Sequence, residues 1–168
     1  VAGRVDPIAD IEVIQTELCL ADLATVEKAL QRYSKAAKSG NDKEAAKLVQ
    51  LLTPIQAALD EGKPARTVPV SKEDAPLLKQ FCLITAKPAM FVGNVSEDGF
   101  ENNQLLDSLK AYADAQGAPV VAICAKIEAE MSEMDDADRD MFLEELGLEE
   151  PGINRLIRAG FKLLGMQT

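Results

Sequence analysis

The sequence predicts an α/β fold: a strand–helix–strand unit with parallel strands, joined to an antiparallel α-helical hairpin. Three observations carry this. Two short apolar runs without charge, at residues 89–92 and 119–123, flank an amphipathic stretch of helical period. Each run ends in a turn of small or polar residues, Asn94-Val95-Ser96-Glu97 and Cys124-Ala125-Lys126. Ahead of them, two long stretches repeat apolar residues every three or four positions and meet at Ser39-Gly40-Asn41.

Asp6-Pro7 starts the first helix, since an aspartate can accept from free amides and proline suits the first helical position. Its apolar spacing runs through Ile11, Ile14, Leu18, Ala21, Val26, Leu30 and Tyr33. Asn41 with Glu44 three residues on reads as a capping box for a second helix over 42–60, with Ala45, Leu48, Leu52, Ile55 and Leu59 on one face. Gly62-Lys63-Pro64 ends it. Two helices of roughly 25 and 18 residues with a short turn between them form a hairpin whose arms, at ~1.5 Å per residue, are some 30 Å long.

Residues 65–70 return the chain, and Ser71 or Asp74 caps a short helix over Leu77, Leu78 and Phe81. Pro88 and Gly93 bound the first strand, and Asp98-Gly99 marks a turn. Asn102 or Asn103 begins a helix through Leu105, Leu106, Leu109 and Tyr112, which Gly117 stops. The second strand follows, then a helix over 128–134, another capped by Asp135 or Asp136, and a last one opened by Pro151. In that last helix Ile153, Leu156, Ile157, Phe161 and Leu164 form one apolar stripe.

The net charge of −10 is localised. Residues 128–150 hold 11 acids against one base, Arg139, and the remainder is neutral. At the hairpin tip the balance turns positive, with Lys28, Arg32, Lys35, Lys38, Lys43 and Lys47 against Asp42 and Glu44, which suits a phosphate backbone. The same lysines also fit a solvated helix face.

The chain has no histidine, so a Cys-His or Ser-His-Asp nucleophile has no materials. Cys19, Cys82 and Cys124 are scattered and suit reduced, buried thiols of a cytoplasmic protein. No apolar run approaches the ~20 residues of a membrane span. None of the ten glycines lies in a GxxxxGK[ST] phosphate loop, and no GxGxxG occurs. In open α/β sheets the ligand crevice lies beyond the carboxyl ends of the strands. That edge is where Asn94, Val95, Glu97, Cys124, Ala125 and Lys126 converge.

Three phrases add a resemblance: "IADIEVIQTELCLAD" at 8–22, "NVSEDGFENN" at 94–103 and "EEPGINRLIRAG" at 149–160 closely resemble the YchF-type, Obg-like ATPase family, and the similarity runs from Val1 to Thr168. The resemblance implies part of a P-loop-NTPase-type nucleotide domain, over 66–168, with an inserted coiled-coil hairpin over 1–65. The Walker A loop, the switch regions and the TGS domain would lie outside this chain. Related GTPases read guanine with Asn-Lys-x-Asp. Here Val95 stands for the lysine, and Glu97 sets its carboxylate one methylene further out. The resemblance therefore implies ATP preferred over GTP, with Asn94 and Val95 at the adenine and the amides of Ala125 and Lys126 close to it. ATP and Mg2+ are the implied cofactors of the whole protein, the magnesium ligands lying elsewhere. A ribosome or RNA partner at the hairpin tip, no membrane partner, and self-association of this piece are further expectations. Alone, the chain is expected to hydrolyse no ATP. The competing reading is a helical module that docks on RNA or protein without nucleotide chemistry.

Overall fold

A computed structural model describes residues 5–39 and 42–166. They fall into two compact units, Ala9–Lys87 and the remainder of the chain. The elements in order are α1 (Pro7–Ser39), α2 (Lys43–Asp60), α3 (Ala75–Lys79), β1 (Phe91–Asn94), α4 (Gln104–Ala115), β2 (Val120–Ile123), α5 (Ala125–Ser132), α6 (Asp136–Glu145) and α7 (Gly152–Leu163). No helix among the described residues is long and apolar enough to cross a membrane.

In the first unit, Cys19, Val26 and Ala29 of α1 share a core with Leu52, Ile55 and Leu59 of α2, joined by Ala65 and Leu83. The face of α2 is the one its spacing gives. The face of α1 follows its spacing at Val26, which is buried, and at Leu30 and Tyr33, which pack against the core, but earlier in the helix Ile14, Leu18 and Ala21 are exposed and Cys19 and Asp22 are buried in their place. The reason is a polar anchor that hydrophobic periodicity does not register. Asp22, only 3% exposed, accepts hydrogen bonds from the amides of Ile84 (2.8 Å) and Thr85 (2.7 Å) and from the Thr85 hydroxyl (2.6 Å). Thr85 Oγ1 accepts in turn from the Ala65 amide at 2.9 Å, and the Thr85 carbonyl takes the Arg66 amide at 3.1 Å and its guanidinium at 3.2 Å. Burial, and then the nearby Asp22 carboxylate, push the Cys19 thiol above its ordinary pKa, so it stays protonated core.

This anchor also decides where residues 66–87 go. The sequence reading groups them with the second domain, yet they lie in the unit of the two long helices. Phe81 meets Tyr33 edge-on at 6.1 Å, and Lys47 pairs with Asp74 at 3.0 Å. Asn41, expected to cap α2, lies outside the described residues. The cap that is seen is Asp42, whose carboxylate accepts from the Ala45 amide at 2.9 Å.

The second unit contains the parallel pair β1–β2, with Phe91 opposite Val120 and Asn94 opposite Ile123. The first strand thus lies two residues later than the apolar run 89–92. Gly93 does not end it. Helix α4 presses on the strand there, and a Cβ at Gly93 would stand 3.2 Å from Leu106 Cδ1 and 3.3 Å from Leu109 Cδ2. Side-chain caps start α4, where Asn103 Oδ1 accepts from Leu105 and Leu106, and α6, where Asp135 accepts from Asp138. Gly117 takes φ +64 after α4, the left-handed stop a glycine allows. Helix α7 packs on β2, but Ile153, Ile157, Phe161 and Leu164 face solvent. The apolar stripe is present as read, and it is turned outward.

Candidate functional site

Because β1 and β2 run parallel in this register, their carboxyl ends lie side by side and release two loops at one edge. The Val95 amide extends the ladder by donating to the Ile123 carbonyl at 2.8 Å. The chain then turns. Ser96 Oγ donates to Asp98 at 2.7 Å, and the Gly99 amide closes on the Ser96 carbonyl at 2.9 Å. Gly99 is buried there, and a Cβ would lie 2.9 Å from Ser96 Oγ, so the loop needs glycine at this position.

On the β2 side the stretch 124–126 is the beginning of α5 rather than a free turn. Cys124 is its N-cap and offers no side-chain bond. Asn94, 31 residues earlier, supplies one: its Oδ1 accepts from the Ala125 amide at 3.0 Å. A second stitch joins the same two segments, where Lys126 Nζ donates to Glu97 Oε1 at 2.6 Å. Hydrogen bonding to Glu97, then its charge, raise the Lys126 pKa above the ordinary lysine value, so the ammonium is fully charged across the neutral range.

The structure thus brings Asn94, Val95, Glu97, Cys124, Ala125 and Lys126 into one small patch. Asn94, Glu97, Ala125 and Lys126 are exposed, and Val95 is half-buried against Ile127, Met131 and Leu143. Cys124 is buried in that same cluster, so only its backbone is available to a ligand. Arg32, Lys35, Lys38 and Lys43 lie on the other unit, all exposed and, among the described residues, none in an ion pair, with Arg32 above the Tyr33 ring at 5.4 Å.

The Asn94 oxygen is held by one N–H and keeps a second lone pair, while its NH2 faces away from that bond as a donor. Among the described residues no group of three or more Cys, Asp or Glu side chains is arranged to hold a metal ion.

One neighbour escapes any local reading of the sequence. Glu128 on α5 accepts from the amides of Gly152 (2.6 Å) and Ile153 (3.2 Å), and so caps α7, whose own N-cap residue Pro151 has no side-chain donor or acceptor. The signal in the sequence was negative: Pro151 has no side-chain acceptor with which to cap α7.

No protein-family model matches the chain. A Haemophilus influenzae protein named Ribosome-binding ATPase YchF is 48% identical over 168 residues, all of this chain and 46% of that protein. The Bacillus subtilis protein of the same name is 44% identical over 171 aligned positions, again all of this chain and 46% of the relative. Among solved structures, that titled "Structure of the Schizosaccharomyces pombe YchF GTPase" aligns at a TM-score of 0.85 over 98% of this chain and 46% of that one, with 24% identity. The chain therefore spans about half the length of the relatives it matches.

Proposed function

We propose, from a chain that matches YchF-type proteins from its first residue to its last, that it carries the base-recognition half of an ATP site. The observation that carries the reading is the Asn94–Ala125 hydrogen bond, which gathers both loop ends at one sheet edge and orients the Asn94 amide. An asparagine amide so placed has one acceptor and one donor, the complement of adenine N6–H and N7. Guanine presents two acceptors, O6 and N7, on that edge and opposes the asparagine oxygen. ATP is thus preferred over GTP. Val95 lies against the base through its main chain and side chain, and the amides at Ala125 and Lys126 border it.

Triphosphate and Mg2+ contacts come from parts of the whole protein outside these residues, and they supply the hydrolytic chemistry. The whole protein is read as a cytoplasmic, ribosome-associated ATPase, and this chain alone as inactive. The test is a titration of the 15N-labelled chain with AMP, read at the Val95 and Ala125 amides. Asn94→Ala is expected to weaken AMP binding at least about tenfold, the value of one good bidentate contact. Unchanged affinity in a folded variant would sink the reading.

A second reading rests on Arg32, Lys35, Lys38 and Lys43, which are exposed and, among the described residues, in no ion pair. In this reading α1 and α2 form an antiparallel arm that lays these cations along RNA. Double charge reversal at Lys35 and Lys38 should abolish binding to a duplex RNA and flatten its salt dependence, since each lost phosphate contact removes about one unit of slope. A slope that does not change with the substitution would exclude the arm.

A further inference from the structure

We propose that Arg155 of α7 is a positioning residue for the loop after β1: it covers Phe100 at the back of that loop, in a contact that opens readily because the guanidinium forgoes its own hydrogen bonds to make it. The proposal is independent of what the patch binds. The front of the loop, Asn94 to Glu97, is stitched to α5 by the two side-chain bonds described above. Its back half is tied differently. The Gly99 amide donates to the Ser96 carbonyl, and Asn103 Nδ2 donates to the Gly99 carbonyl at 2.9 Å, so the strap is closed on itself. Between these two bonds Phe100 packs against the cluster of Cys124, Ile127, Met131 and Leu143. Arg155 lies over the ring, with Cζ 5.8 Å from its centroid.

That position is unfavourable for the arginine itself. A guanidinium has five N–H donors. Arg155 Nε and Nη2 are buried, and neither meets an acceptor among the described residues. Its neighbours in the chain are served: Arg139 pairs with Asp136 at 2.9 Å, and Arg158 pairs with Glu150. Each buried donor without an acceptor lowers the closed population about tenfold, and here there are two. A desolvated cation over one ring offsets roughly threefold to thirtyfold, less than the two donors together cost. The closed state therefore rests on the apolar packing of Phe100, and Arg155 lowers the free energy of opening it. When the strap lifts, water reaches the guanidinium, and the apolar cluster beneath Phe100 is bared while the front of the loop stays stitched to α5.

Amide hydrogen exchange in the 168-residue chain reads the opening at Gly99, and the Arg155 Nε–H reports the same event from the other side. The two should share one protection factor, below that of the Leu109 amide in the middle of α4. Arg155→Met covers the ring with an unbranched chain that has no donors and packs well on aromatics. It should slow exchange at Gly99 about tenfold, the effect of one relieved donor, and leave Leu109 unchanged. An arginine that merely braced the loop gives the opposite sign. Phe100→Leu should speed exchange at Gly99, and in that background Arg155→Met should change it less than in the original chain. Unchanged or faster Gly99 exchange in a folded Arg155→Met variant would overturn the proposal. So would an Arg155 Nε–H in the unsubstituted chain that exchanges freely while Gly99 is protected.

Discussion

Asp22→Ala should destabilise the Ala9–Lys87 unit by roughly 3–5 kcal/mol, the cost of removing one partner from a buried charged network. Three donors lose their acceptor at once: the Ile84 and Thr85 amides and the Thr85 hydroxyl. Water cannot replace the carboxylate easily, because Thr85 is 2% exposed. The Thr85 hydroxyl also holds the Ala65 amide, so the damage spreads to the turn after α2. Urea unfolding followed by helical signal gives the magnitude, and hydrogen exchange at Ile84 and Thr85 gives the location. Asp22→Asn, which keeps one acceptor but aims an NH2 at other donors, should fall between the two. A loss below about 1 kcal/mol with both amides still protected would show that the anchor matters less than its geometry implies.

The second large effect is expected at Gly152. An alanine Cβ there would lie 2.7 Å from Glu128 Oε1 and 3.0 Å from Ile123 Cγ2. The carboxylate has to withdraw, and its withdrawal uncaps α7. About 1–3 kcal/mol should be lost, the usual cost of overpacking combined with a lost cap. In a chain of this size that lowers Tm by about 2–4 °C per kcal/mol. Glu128→Ala alone removes the cap without the clash. If the carboxylate is the link, Gly152→Ala costs less in the Glu128→Ala background than in the original chain. Full additivity of the two penalties would place the strain at Ile123 instead.

Much of the second unit was legible because its signals are local. Asn103 and Asp135 are short acceptors placed just before apolar runs, and Gly117 follows one, so three helix ends could be read from neighbours in the chain. The β1–α4–β2 order follows from the change of period between strand and helix. The convergence of Asn94 with 124–126 follows from parallel pairing. What the sequence concealed depends on partners far away. The face of α1 turned on Asp22, which looks like a surface residue until residues 84 and 85 arrive to bind it. Gly93 looks like a terminator until Leu106 and Leu109 press upon it. Glu128 opens an acidic run that composition assigns to solvent, yet its carboxylate holds two amides of another helix. The outward stripe of α7 shows the reverse: periodicity located it, but the packing against β2 uses a different side of the helix.

The borrowed caps make the helices of this unit dependent on one another. Asn94, at the end of a strand, starts α5, and Glu128, within α5, starts α7. At 8 and 12 residues these helices are no longer than the point where isolated helices become marginal in water, about 12–15 residues. A synthetic peptide copying either one would have no side chain of its own for its leading amides and would fray from that end. Order in this region therefore passes in sequence from the sheet edge to α5 and from α5 to α7, and a nick in the chain between them would cost more than the peptide bond it removes.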